Sequence, residues 1–199
     1  MFSKFKLLSQ QKSNLVFDFD KTIAQMEIDW SGWHLGIADI YTKFDTNHGY
    51  KRGKNPHESY NELAATHGKK LINAVQKFVS DYEKKYTTGF TPNPKLVAFI
   101  KANSSNRMYI YSSNSRYIVE LGLQTLGITT SFDQIIFRDD VDKVKPDPEG
   151  FYLINNFNQQ KESFLMIGDS SGDQIAAQQA GIDFFKCTYF ETYEFSGDS

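Results

Sequence analysis

An acid set inside an apolar run near the start of the chain restricts its folding more than any other feature. Residues Asn14 to Phe19 read Asn-Leu-Val-Phe-Asp-Phe, which suits a strand buried on both faces, and only Asp18 interrupts the run. A carboxylate in such a strand is costly unless it has partners, so a functional or metal role is favoured over plain capping of backbone amides. Asp20 follows two residues later, and the period of a strand puts both side chains on one face. Two carboxylates at one strand end repel unless a cation sits between them.

Similar apolar runs recur at Met108 to Tyr111, Gln134 to Phe137, Phe164 to Ile167 and Ile182 to Phe185. Helical segments lie between them. Asn93 with Pro94 opens one, Asp147 with Pro148 another, and the segment Ser171 to Ala180 stops at Gly181. Strand and helix alternate from Phe90 to the end, which predicts an α/β fold, a doubly wound parallel sheet with helices on both faces.

The stretch from Ala24 to Gly89 breaks that alternation with helix signals and no convincing strand. Trp33, Ile37, Ile40, Tyr41 and Phe44 recur at helical spacing, Asn55, Pro56 and Glu58 open a helix that stops at Gly68, and Leu71, Ile72, Val75, Phe78, Val79 and Tyr82 line one face of the next. Residues 1–23 and 90–199 are therefore expected to form the α/β core domain, and 24–89 a small all-helical domain inserted after the first strand. Thr87 to Asn93 reads as the linker back to the sheet.

The chain has 199 residues, 40% hydrophobic and 15% aromatic, enough for one core and an appendage. Its formal net charge of -2 provides no basic field for a polyanion, so nucleic acid is not an expected partner. The single cysteine, Cys187, is expected to be a packed or idle thiol. Met1 to Lys12 carries three lysines and only Leu7 and Leu8 as an aliphatic pair, unlike a secretory signal, and no segment approaches membrane-spanning length. The expectation is a soluble, cytoplasmic protein with no membrane partner.

A second acidic cluster, Gly168-Asp169-Ser170-Ser171-Gly172-Asp173, directly precedes a helix. Strand ends of a parallel sheet share one edge, so Asp169 can converge with Asp18, and such carboxylates suit a hard cation such as Mg²⁺ rather than zinc. Capping of the helix by Asp169 or Ser170 is compatible with that role.

With these residues in view, the chain resembles the haloacid dehalogenase superfamily. Val16-Phe17-Asp18-Phe19-Asp20-Lys21-Thr22-Ile23 is similar to its first motif, Ile110-Tyr111-Ser112-Ser113-Asn114 to the second, Lys145-Pro146-Asp147-Pro148 to the third and Ile167 to Asp173 to the fourth. Each alone is weak, whereas four in order across nearly the whole chain are a strong signal.

The resemblance implies a phosphohydrolase acting on a small phosphorylated metabolite. Asp18 would be the nucleophile that forms an aspartyl-phosphate, and Asp20 the acid and base. Ser113, Asn114 and Lys145 would bind the substrate phosphate; Asp18, the main chain of Asp20, and Asp169 would hold Mg²⁺, with Asp173 ordering its waters. Ser112 competes with Ser113, which is preferred because Ser-Asn is the commoner family form, and Lys143 competes with Lys145, which directly precedes Pro-Asp-Pro. Lys21 stands where many members have glycine, a departure that bears on the turn and on local charge.

The insertion point resembles that of the helical cap in phosphoglycolate phosphatase-like members, which closes over the site and recognises the rest of the substrate. His34, His48, His57 and His67 all fall there, beside Lys51, Arg52 and Lys54. They share no metal-ligand spacing and are expected to be solvated, although a cap loop reading a second anionic group, through His57 or Arg52, is the functional alternative. Trp30 and Trp33 are expected in the cap core. The alternatives in activity are a phosphomutase, which would release no free phosphate, and a silent interaction module, which would have broken motifs. A dehalogenase is disfavoured because Asp20 supplies the acid that phosphoryl chemistry needs.

Overall fold

Alternate residues of the central strands enter two different hydrophobic cores, and that division arranges the molecule. In the computed structural model, which describes residues 2–46, 56–155 and 157–193, the strands are β1 (Asn14–Phe17), β2 (Ala24–Glu27), β3 (Gly89–Pro92), β4 (Arg107–Tyr111), β5 (Gln134–Ile136), β6 (Phe164–Gly168) and β7 (Asp183–Lys186). Five of them form a parallel sheet in the order β5-β4-β1-β6-β7. The expected doubly wound α/β core is present.

The helices are α1 (Phe2–Ser9), α2 (Trp30–Phe44), α3 (Pro56–His67), α4 (Lys69–Tyr86), α5 (Pro94–Ala102), α6 (Arg116–Leu126), α7 (Glu149–Tyr152), α8 (Phe157–Gln160), α9 (Ser171–Ala180) and α10 (Tyr189–Tyr193). Leu15, Phe17, Met108, Ile110, Leu165 and Ile167 pack with Phe5 of α1 and with α5 and α6 on one face of the sheet. Val16, Tyr109, Tyr111, Phe164 and Met166 pack with α7, α8 and α9 on the other. The period of two in each strand thus fills both faces, as a sheet covered on both sides requires. Asn93 caps α5 by accepting from the Leu96 amide, and Gly181 ends α9 in the left-handed region at φ 77°.

The inserted stretch is not free of strands. β2 and β3 pair antiparallel, Ala24 opposite Pro92 and Glu27 opposite Gly89, so the segment expected as a linker is half of a two-stranded ribbon that brackets helices α2 to α4. Each strand is four residues long and its partner is remote in sequence, and Gly89 and Pro92 imitate turn signals. The helices between them follow the sequence pattern: Trp33, Ile37 and Tyr41 of α2, Tyr60 and Leu63 of α3, and Leu71, Ile72, Val75 and Val79 of α4 are buried together. Among the described residues, no helix is long and apolar enough to cross a membrane.

Candidate active site

The carboxyl edge of the sheet carries the acids. Asp18 follows β1 directly, its amide donating to the Ile167 carbonyl of β6 at 2.9 Å, so the backbone remains in sheet pairing up to the acid. Lys145, on the loop before α7, lies 4% exposed beside it. Its ammonium donates to Asp18 Oδ1 at 2.6 Å, to Asp173 Oδ1 at 2.6 Å and to the Tyr111 carbonyl at 2.9 Å, which uses all three of its protons. Lys143 instead pairs with Asp147 at 3.5 Å, its side chain half exposed. Of the two lysines, the structure brings Lys145 to Asp18.

Asp173, in the first turn of α9, uses its other oxygen to accept from the Ser170 amide and hydroxyl, while its own amide donates to Ser170 Oγ. This capping box fixes the carboxylate against Lys145. A Cβ on Gly168 would lie 2.5 Å from the Asp173 carboxyl, so the approach requires glycine there. Asp18, Asp169 and Asp173 each offer a carboxylate oxygen within 4.8 Å of the others. The carboxylate of Asp20 is outside this group and accepts from the Met26 amide at 2.7 Å. An all-carboxylate donor set fits Mg²⁺, a hard cation, and lacks the nitrogen or sulfur that zinc prefers.

Burial dominates the electrostatics. It pushes the Asp18 carboxyl up to about 8, against the pull of Lys145 and with the repulsion of Asp173 and Asp169 added. Burial also raises Asp20 to about 7, opposed by the Met26 hydrogen bond, and raises Asp169 to about 7, reinforced by Asp173 and Asp20. For Lys145, burial favours the neutral amine, but the carboxylates of Asp173 and Asp18 outweigh it and keep the ammonium above its usual value. A cation among these acids would relieve both burial and repulsion.

Above this edge lies a cavity of about 510 Å³. Its floor is Asp18, Asp20, Lys21, Ser113, Asn114, Lys145 and residues 169–172 of the core; its roof is Trp30, Trp33, His34, Pro56, His57 and Glu83 of the insert. Ser113 lines it, whereas Ser112 is fully buried and donates from its hydroxyl to Asn114 Oδ1 at 3.0 Å. Asn114 Nδ2 donates to Glu83 at 3.0 Å. Lys21 adopts φ 57°, the left-handed conformation that glycine takes without steric cost.

The roof departs from the sequence expectation at His57, whereas His34 is exposed as expected. His34 and His57 border the cavity, and His34 lies edge-on to Trp33 at 5.3 Å. Burial, then the nearby Arg138 and Lys145, lowers His57 to about 3. His67 packs on Phe44 at 5.5 Å, while His48, Lys51, Arg52 and Lys54 fall outside the described residues. Trp33 joins the insert core as expected, and both tryptophans also face the cavity.

Two buried charges escaped the sequence reading. Glu83 is 1% exposed, at the next turn of the buried stripe Ile72, Val75, Val79, a position where an acid is a signal. Arg138 is equally buried, its guanidinium 4.7 Å from the Tyr60 ring centre and Nη1 donating to the Ser113 carbonyl at 3.2 Å. It follows a strand as an ordinary turn cation would, and nothing local marks it as buried.

The model of the haloacid dehalogenase-like hydrolase family matches residues 15–187. The chain belongs to this family. A curated relative, pyrophosphatase PpaX of Bacillus cereus (strain B4264), is 26% identical over 130 residues, which cover 65% of this chain and 60% of that protein. That match spans less than two thirds of the relative. The protein of the same name from Bacillus anthracis is 25% identical over 198 residues, with 92% and 89% covered. Among solved structures, a candidate haloacid dehalogenase-like hydrolase from Bacteroides fragilis superposes with a TM-score of 0.58 at 25% identity, covering 88% of this chain and 87% of that one. The four motifs of the family hydrolase lie on the cavity floor or directly beneath it.

Proposed function

We propose that this hydrolase cleaves a small phosphate monoester through an aspartyl-phosphate on Asp18. The observation that carries the reading is the contact of Asp18 with Lys145 at 2.6 Å on the floor of a capped cavity that Asp20 also lines. Asp18 would attack phosphorus as the bond to the leaving oxygen breaks, and Asp20 would give that oxygen its proton. Asp20, then ionised, would take a proton from the water that attacks the phosphoenzyme and releases phosphate. Burial holds Asp20 near neutrality, where it can serve as acid and then as base.

Lys145 would shift its donors from Asp18 toward the phosphoryl oxygens, with Ser113 and Asn114 on the facing loop. Asp18, the main chain of Asp20, and Asp169 would hold Mg²⁺, with Asp173 behind them, since both of its oxygens are engaged by Lys145 and Ser170. When bound, the ion supplies positive charge against the phosphoryl oxygens. The insert would act as a cap domain that selects the leaving group.

The relatives' name makes inorganic pyrophosphate the natural second substrate to test. Among the described residues the lining carries the cations Lys21 and Lys145 and the acids Asp18, Asp20, Glu83 and Asp169, and turnover decides between ester and pyrophosphate. The experiment is phosphate release from a panel of phosphorylated metabolites, pyrophosphate and p-nitrophenyl phosphate, with and without Mg²⁺. Release that stops with excess EDTA and returns with Mg²⁺ is expected. Full turnover without metal would refute the metal assignment, and turnover without free phosphate would mark a phosphomutase.

A further inference from the structure

Glu83 is the deepest acid of the insert, and its carboxylate is spent on the core. One oxygen accepts from Asn114 Nδ2 at 3.0 Å and the other from the Ser115 amide at 2.9 Å. These are the two residues after Ser113. From the other side Arg138 holds the same loop, its amide donating to the Asn114 carbonyl at 3.1 Å and Nη1 to the Ser113 carbonyl at 3.2 Å. The loop is thus gripped by the core on one side and by a single insert side chain on the other. A leucine or methionine would fill the Glu83 position in a helical stripe without the desolvation cost of a carboxylate, so packing does not account for it.

We propose that Glu83 is a positioning residue: docking of the insert places its carboxylate on Asn114 and Ser115 and so fixes the loop bearing Ser113 for phosphoryl transfer. The proposal rests on the phosphatase reading of this site. It makes the loop competent only when the insert is docked, because an undocked insert takes the acceptor away from both donors. The insert then contributes to turnover as well as to selection.

Glu83→Gln in the full chain is the test. An amide offers one acceptor and one donor, so it satisfies only one of the two donors and opposes the other. The kcat for p-nitrophenyl phosphate should fall about tenfold or more while KM stays within about threefold, the signature of a misplaced group rather than lost binding. Adding Asn114→Asp rebuilds the tether with the same net charge: the glutamine nitrogen donates to the new carboxylate, its oxygen accepts from the Ser115 amide, and Ser112 keeps its acceptor. Because Asn114 would itself face the phosphate, this double variant is read by amide exchange and not by kcat.

Amide exchange over residues 112–116 reads the tether without any reaction and should quicken in Glu83→Gln and slow again in the double variant. If Glu83→Gln does not fold by circular dichroism, Glu83→Asp, one methylene shorter, replaces it in both measurements. An unchanged kcat, unaltered exchange in Glu83→Gln, or exchange that the double variant does not slow again overturns the proposal. A wild-type chain that releases no phosphate refutes the phosphatase reading instead, and exchange still decides whether Glu83 holds the loop.

Discussion

The floor and the roof of the cavity are built on different principles. On the floor, charged groups contact one another within a few ångströms: Lys145 touches two carboxylates and a carbonyl, and Asp173 spends both oxygens on neighbours. On the roof, aromatic rings predominate, with Trp30 and Trp33 edge to face at 5.9 Å and His34 against Trp33. A preorganised charge array suits a transition state whose charge is the same for every phosphate ester; a wall of rings and few charges suits a variable leaving group. On the proposed reading the floor would carry the chemistry and the roof the selection, and Glu83 would be the contact through which the roof reaches the loop of Ser113.

Substitutions on the floor should have the larger effects and should not depend on the substrate. Asp18→Asn replaces the proposed nucleophile with an amide, and turnover of every substrate should fall by roughly 10⁴-fold or more, as losses of a covalent nucleophile do. Steady-state assays on p-nitrophenyl phosphate and on a natural ester should give the same ratio. Unequal ratios would blur the division.

Lys145→Met comes next. It leaves Asp18 and Asp173 buried without their cation, and breaking such a cluster from one side costs about 3–5 kcal/mol. Urea unfolding should show the loss in the midpoint, alongside nearly complete loss of turnover. An unchanged midpoint would mean that the acids are protonated in the resting protein.

The roof should respond more weakly and selectively. Trp30→Leu combined with His34→Ala should lower kcat/KM for the best natural ester by about tenfold, the scale of a lost pocket contact. Turnover of p-nitrophenyl phosphate should stay within about twofold. Equal losses on both substrates would place catalytic groups in the roof.

The effect that is smallest at neutral pH is one of pH on stability. His57 stays neutral in the folded chain down to about 3, whereas the unfolded chain takes up its proton from about 6.5 downward. Protonation of this ring therefore favours the unfolded state, so the His57 contribution to stability falls as pH drops from 6.5 toward 3, while the raised carboxyls of Asp18, Asp20 and Asp169 contribute in the opposite sense. The melting temperature of His57→Gln relative to wild type should rise as pH drops through this window and stay nearly unchanged at neutral pH. An identical acid limb would show that the ring is more solvated than its place on the roof implies.

The same division explains what the sequence disclosed. The three central strands β1, β4 and β6 carry apolar runs, and a strand end that carries an acid marks the edge, so Asp18, Asp20 and Asp169 were readable together with the parallel fold. Lys145 was readable only through its motif, because nothing in the spacing of a loop lysine tells it from Lys143. The β2–β3 ribbon was hidden because its pairing spans the whole insert. Helix α1 was hidden because its eight residues are too few to show a clear helical period, although Phe5 is 1% exposed and packs on Phe99 at 4.8 Å and Phe185 at 5.5 Å. Where insert meets core, burial is a tertiary outcome: Arg138 of the core and His57 of the insert look like solvent-facing residues until the two parts pack together, and Glu83 alone carried a periodic signal.

The measurement closest to the central claim is a rapid-quench experiment on Asp20→Asn with labelled phosphate ester, followed by peptide mapping. A nitrophenolate leaving group needs little protonation, so Asp18 should still be phosphorylated in part, while hydrolysis, now lacking its base, should stall. The result expected is a burst of nitrophenol with acid-stable label accumulating on Asp18. Label on a serine or histidine, or steady unimpaired turnover by Asp20→Asn, would contradict the account.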